Sequence, residues 1–237
     1  MELVTDERCG FSLVHRQERF FVGPDPDRGA WSFLEEAEDG RGRKRPPQAV
    51  SRIVRQMGGI QVIRSDAAKR YDGPIKRAER TWIAASPHAL FIVDRIEAER
   101  PVKAESVFML HNGDNGMQVK VAAEHKLVLR RGGAGMKFFQ VYASSEQRLA
   151  ESGQAIRYAS EQFQPSHTIV YAAALDDTDA VRSWHIVPLG ERHFYVEPPA
   201  KTGGYSLELA DREALIVHDR EAGKSYRIDG EDRYPFA

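Results

Sequence analysis

The sequence predicts an all-β protein: a large antiparallel β-sandwich, supersandwich-like, with about fifteen strands and little helix. Three observations lead there. Beyond residue 50, short apolar or alternating runs are separated by Gly, Pro, Asn and Asp. One pair of those runs flanks a turn-forming triplet, Ser86-Pro87-His88, in hairpin spacing. No stretch sustains the 3.6-residue apolar period of a long helix.

The strands are expected, in order, at Ser51–Arg55, Ile60–Arg64, Arg77–Ala85, Ala89–Ile96, Ser106–His111, Met117–Val121, Lys126–Arg130 and Lys137–Tyr142. They continue at Ile156–Glu161, Thr168–Ala173, Ser183–Pro188, His193–Glu197, Tyr205–Leu209, Ala214–His218 and Ser225–Ile228. A three-residue loop at Ser86-Pro87-His88 sets Ala85 opposite Ala89, Trp82 opposite Ile92 and Arg80 opposite Asp94. Hydrophobes and opposite charges both pair sensibly in that register. Both strands are apolar on both faces, at Ile83, Phe91, Ile92 and Val93, as expected of a central pair buried between layers.

A β-sandwich often runs to about 200–250 residues as one domain, so residues 1–237 are expected to form one domain. Residues 35–48, EEAEDGRGRKRPPQ, switch from acidic to basic without apolar periodicity and are expected to form a flexible loop. Arg41, Arg43, Lys44 and Arg45 there are candidates to meet a polyanion, but the neighbouring acidic run offsets them.

With 41% apolar residues the chain can bury a core, and at 29% charged residues and a net charge of −1 it has no general attraction for nucleic acid. The one cysteine, Cys9, excludes an intrachain disulfide and a cysteine-based metal site. No apolar run approaches the roughly 20 residues needed to cross a bilayer as a helix. Glu2, Asp6 and Glu7 follow Met1 where a secretory leader would be basic and then apolar, so a soluble, cytoplasmic protein is expected, or an extracytoplasmic one if a leader has been removed.

Residues 58–111 carry a more specific pattern: Gly59 opening a strand, Asp66-Ala67 followed by Tyr71, an Arg80-led strand, a strand ending in Asp94-Arg95, and a strand ending in Leu110-His111. This order resembles the β-region of heparinase II/III-type polysaccharide lyases and oligoalginate lyases, and residues 167–189 resemble the closing strands of the same region. The resemblance covers roughly residues 50–190. It implies a multi-sheet β-sandwich that in those enzymes is joined to an α-helical toroid, with acidic polysaccharide cleaved by β-elimination where the two meet. Two family elements are missing here: the toroid, and the His-x-His-x-Asp segment that opens the β-region. His15 alone resembles a zinc-site histidine of the family and lacks the further ligands such a site needs. The resemblance therefore implies a β-domain that is detached, trimmed or independently encoded.

Lyase chemistry needs a base for the proton α to a uronate carboxylate, an acid for the leaving oxygen, and cationic or hydrogen-bonding groups for the enolate. Tyr71, Arg77, Arg80 and His111, with Asn112 beside the last, are the family-matched residues of those types and the candidate substrate-binding set. The structural alternative is an Arg80–Asp94 pair across the hairpin, Tyr71 packed at a strand end, and His111-Asn112 closing the HNGDNG turn. His185, His193, Phe194 and Tyr195 form a candidate sugar-stacking cluster or, equally, core.

Other chemistries find no template. Arg131–Gly135 lies between strands and lacks the Lys-Ser/Thr and helix of a phosphate-binding loop, and no Gly-x-Ser-x-Gly elbow is present. Asp176-Asp177 with Asp179, and Glu231-Asp232, are acidic turns, and neither metal nor other cofactor is expected. Three readings remain: a non-catalytic carbohydrate-associated β-sandwich that binds acidic polysaccharide or oligosaccharide; a lyase completed by a separate helical partner chain; and a structural module that pairs with another chain, including as a homodimer.

Overall fold

The computed structural model describes residues 1–6, 9–23, 29–35, 51–71 and 74–229; the loop expected at 35–48 lies, apart from its first residue, outside them. The described residues form three antiparallel sheets joined by short connections and three brief 3-10 turns. The first sheet holds β1 (Glu2–Thr5), β2 (Phe11–His15) and β3 (Glu18–Phe21). The second holds β4 (Trp31–Glu35), β5 (Ser51–Met57), β6 (Ile60–Asp66), β7 (Ile75–Ala85), β8 (Ala89–Met109), β9 (Met117–Ala123), β10 (Lys126–Arg131), β11 (Ala134–Ala143), β12 (Gln147–Glu151), β13 (Ala155–Ser160) and β14 (Gln164–Asp177). The third holds β15 (His185–Gly190), β16 (His193–Glu197), β17 (Tyr205–Leu209), β18 (Leu215–Asp219) and β19 (Lys224–Ile228).

The central hairpin has the expected register: Ala85 faces Ala89, Trp82 faces Ile92 and Arg80 faces Asp94. Around it the sheet runs β5-β6-β7-β8-β14-β11-β10-β9. The strand count is where the structure departs from the sequence reading. Two expected strands, Ala89–Ile96 and Ser106–His111, are one strand, β8, while β1 to β4 and β12 are additional.

β8 is long because it serves two places. Ala89–Ala98 pairs with β7 and β14, and beyond a register shift the later residues pair with β4 and β13. A straight strand would hold residues twelve apart at about 40 Å. Yet Ser106 Oγ donates to Asp94 Oδ2 at 2.7 Å. The strand therefore folds back on itself around the exposed stretch Glu99-Arg100-Pro101.

That fold-back builds the larger core. Phe108 is brought over the hairpin's even-numbered face and meets Phe11, Phe21, Phe138, Tyr158 and Tyr171 at ring separations of 4.8–6.2 Å. Truncating such a ring to alanine costs about 3–5 kcal/mol. The hairpin's odd-numbered face, with Ile83, Ala85, Phe91 and Val93, instead packs against Phe194, Val196, Leu207, Leu215 and Val217 of the third sheet. β7, β8 and β14 are thus covered on both faces, and β11 is covered in part, through Val141 and Tyr142, whereas β9 and β10 form a wing that packs on the larger core by one face and contributes no residue to the core under the third sheet.

Candidate functional site

The structure divides the five sequence-predicted residues among three places: Tyr71 with Arg80, Arg77 on the opposite face, and His111 with Asn112. Arg80 is 1% exposed. Its Nε and Nη2 donate to the two oxygens of Asp94 at 2.6 and 2.7 Å, and its guanidinium lies 4.8 Å from the Trp31 ring centroid and 4.6 Å from that of Phe108. Trp31 Nε1 and Ser106 Oγ also donate to Asp94. Burial disfavours the guanidinium's charge and the Asp94 carboxylate offsets it, leaving the pKa of Arg80 above the ordinary arginine value. This is a sealed, fully partnered ion pair out of reach of a sugar in solvent.

Tyr71 packs edge-on against Phe33 at 4.8 Å and against Trp31 at 6.4 Å, and its hydroxyl sits beside Gly29. Burial pushes its phenol well above the usual tyrosine range, so it does not supply a phenolate base at neutral pH. Tyr71 and Arg80 are linked through Trp31, which touches both.

Arg77, three residues before Arg80 on β7, points to the opposite face. It donates to Glu213 at 2.6 Å and to Glu97 and Glu79 at 3.1 Å each. Beside it Arg64 donates to the Asp229 carbonyl at 3.0 Å and Arg95 to the Glu213 carbonyl. This cluster ties the third sheet to the second. His111 donates its N–H to the Phe20 carbonyl, and Asn112 closes its turn by donating to the Gly153 carbonyl and accepting from the Met117 N–H. Phe194 and Tyr195 are core, and His193 pairs with Ser206 Oγ at 2.9 Å. Asp176 accepts from Trp184 Nε1 and meets Arg16. No group of three or more His, Cys, Asp or Glu suited to a metal occurs among the described residues.

What the sequence reading missed is the open face of the wing. In β10, Leu127 and Leu129 point into the larger core, so alternation turns Lys126, Val128 and Arg130 outward. In β11, Met136 and Phe138 are core and Lys137 and Phe139 turn outward; in β9, Met117 and Val119 face the core and Gln118 and Lys120 turn outward. Register then aligns Lys120, Val128 and Lys137 in one cross-strand row, with Gln118 and Arg130 in an adjacent row and Lys126 beside Phe139 on the other side. Strand spacing places the Cα atoms of Lys120 and Lys137 about 10 Å apart.

No carboxylate lies within ion-pairing distance of Lys120, Lys126, Arg130 or Lys137 among the described residues. Lys126 Nζ lies 5.6 Å from the Phe139 ring centroid. Lys137 donates to the Arg182 and Trp184 carbonyls, and burial lowers its pKa; it marks where the third sheet's cover ends. Val128 and Phe139 are half-buried between the cations. The hairpin that joins β10 and β11 turns through Gly132 at φ +51°, where a side chain would also strike Glu18. A sequence signal for this face existed: residues 117–143 contain Lys120, Lys126, Arg130, Arg131 and Lys137 against the single acid Glu124.

No family model matches the chain, and no curated protein matches its sequence. Solved structures do match. Aligned with the heparan sulfate lyase HepC from Pedobacter heparinus, 96% of this chain superposes with a TM-score of 0.55 at 9% identity, and it covers 37% of that enzyme. A mutant of the same enzyme gives 93% coverage, a TM-score of 0.53 and 10% identity, and a further heparinase III gives 93%, 0.51 and 9%. The chain spans little more than a third of these enzymes. At this identity the shared property is the fold.

Proposed function

We propose that this protein is a carbohydrate-associated β-sandwich that holds an acidic polysaccharide on the open face of β9, β10 and β11 and carries out no β-elimination by itself. The observation that carries the reading is the group of outward cations Lys120, Lys126 and Arg130, which stand in neighbouring cross-strand rows beside Phe139 and have no acid partner among the described residues. Carboxylate or sulfate groups along a glycan meet unpaired cations there, and the ring and Val128 offer an apolar surface to the sugar plane. Against catalysis within the chain stand the sealed Arg80–Asp94 pair, the buried phenol of Tyr71 and the engagement of Arg77 with three glutamates.

The experiment is a parallel pair of measurements on heparin, heparan sulfate and alginate: absorbance of unsaturated uronate product, and direct binding. Binding without product is the expected result. Product formation that is lost in Tyr71→Phe or His111→Ala would overturn the non-catalytic reading in favour of a lyase, and the absence of both binding and product would favour a structural module that pairs with another chain.

A further inference from the structure

The outward residues of β9, β10 and β11 form a cross with Val128 at its centre. Lys126 and Arg130 stand two residues before and after it on the same face of β10, and register sets Lys120 of β9 and Lys137 of β11 to either side. The two arms of the cross differ in length, in what their charged groups meet and in what lies beyond them.

The arm across the strands is short and closed at one end. The Cα atoms of Lys120 and Lys137 are about 10 Å apart. Lys137 Nζ is already engaged, donating to the Arg182 carbonyl at 2.8 Å and to the Trp184 carbonyl at 2.5 Å. Those carbonyls belong to the 3-10 turn Ala180–Ser183 and the residue that follows it. Val181 of the same turn lies over β11 so closely that a Cβ at Gly135, whose side of the strand is also outward, would meet it at 2.6 Å. A sugar chain laid across the strands would run from Lys120 over Val128 into this wall.

The arm along β10 is longer and uncovered. Four residues of strand separate Lys126 from Arg130, about 13 Å. The half-buried Val128 makes an apolar floor between them, and Phe139, with its ring centroid 5.6 Å from Lys126 Nζ, extends that floor to one side. Beyond Arg130 the strand enters the β10–β11 turn, where Gly133 has open space about it. Beyond Lys126 comes the β9–β10 turn with Glu124, an acid whose side chain is 85% exposed and which ends the line of cations there. Two cations this far apart reinforce one another only on a ligand that reaches both at once. A single sugar acid or a disaccharide is too short to do so, whereas a run of several sugars with acid groups repeated along it spans the pair.

Resting on the polysaccharide-binding reading above, we infer that the ligand of this face is a run of polymer rather than a short fragment and that it lies along β10. Its acid groups meet Lys126 and Arg130, a sugar face lies on Val128, and Lys120 is a flanking contact.

The test is calorimetric titration of the full chain with size-defined heparin di-, tetra- and hexasaccharides and with the heparin polymer, on wild type, Lys126→Gln, Arg130→Gln and Lys120→Gln, with circular dichroism to confirm folding. Wild type should bind the hexasaccharide about two- to fivefold more tightly than the disaccharide, the gain of one further surface charge contact. Lys126→Gln and Arg130→Gln should each abolish that gain and leave disaccharide affinity within about twofold, because the remaining β10 cation still serves a short ligand. Lys120→Gln should weaken every length alike and keep the gain. Lys126→Gln changes an exposed side chain and keeps the test valid if Arg130→Gln fails to fold. Equal affinity at all lengths, a gain that survives in either folded β10 variant, or a gain removed by Lys120→Gln alone would each overturn the inference while leaving polysaccharide binding in place. Failure of the polymer and of every fragment to bind would overturn the proposed function and this inference together.

Discussion

Arg80 and Lys126 lie in the same sheet and carry the same charge, yet their surroundings assign them opposite work. Arg80 stands on β7 under cover from both sides, and its cation is held by Asp94, Trp31 and Phe108. Lys126 stands on β10, which contributes no residue to the core under the third sheet, and its ammonium meets a ring face and, among the described residues, no carboxylate. His15 shows the remaining case, a basic group buried without an acid partner: desolvation, helped by the N-terminal amine, His88 and Arg16, lowers its pKa to about 4, so it is neutral. A buried base keeps its charge with an acid and loses it without one, whereas an uncovered base keeps it freely. Coverage by a neighbouring layer, more than residue type, separates structural cations from those available to a ligand.

The sharpest way to break this comparison is at Asp94. Asp94→Ala leaves Arg80 charged and unpartnered in the core and is expected to destabilise the fold by about 3–5 kcal/mol, whereas Lys126→Ala should change stability by less than about 0.5 kcal/mol; urea unfolding of both variants measures the contrast. Similar losses in the two would remove the distinction.

His15 yields a pH prediction. Its folded pKa lies below that of the unfolded chain, so between the ordinary value of 6.5 and about 4 the unfolded state binds more protons. Its contribution to stability is complete above pH 6.5 and is lost as pH falls to about 4, amounting to up to about 3 kcal/mol. His15→Phe should flatten that part of the stability profile. An unchanged slope in thermal or urea unfolding between pH 7 and 4.5 would show that His15 is not the group responsible.

The smallest expected effect sharpens the account of the open face. Phe139→Ala removes the ring beside Lys126 without changing charge, and should weaken polysaccharide binding by roughly two- to fivefold, in keeping with a cation–ring contact of about 0.5–1 kcal/mol. Its salt dependence should stay that of wild type, because no cation is lost.

Local rules made part of this structure legible. The three-residue turn at Ser86-Pro87-His88 determines register by counting, so the Arg80–Asp94 pairing follows from the sequence. β8 is harder: the apolar run ends at Ile96 and resumes at Ser106, which gives two strands by local pattern, while pairing to different partners on either side keeps the strand continuous through its fold. The same limit hid the open face. Lys120, Lys126 and Arg130 each look like an ordinary outward residue of an amphipathic strand. Their alignment depends on cross-strand register, and their freedom from acids depends on where the third sheet stops. Conversely, Tyr71, Arg77 and Arg80 were selected for their chemical type, and only tertiary burial reveals that their polar groups are engaged within the fold.

The central claim is tested most directly by titrating heparin and heparan sulfate into wild type and into the combined Lys120→Glu, Lys126→Glu, Arg130→Glu variant at low and physiological salt. The account predicts binding by wild type that weakens as salt rises, and roughly ten- to a hundredfold weaker binding by the variant, the sum of three surface charge contacts of about 0.5–1 kcal/mol each. Unaltered affinity in a variant with wild-type stability would contradict it.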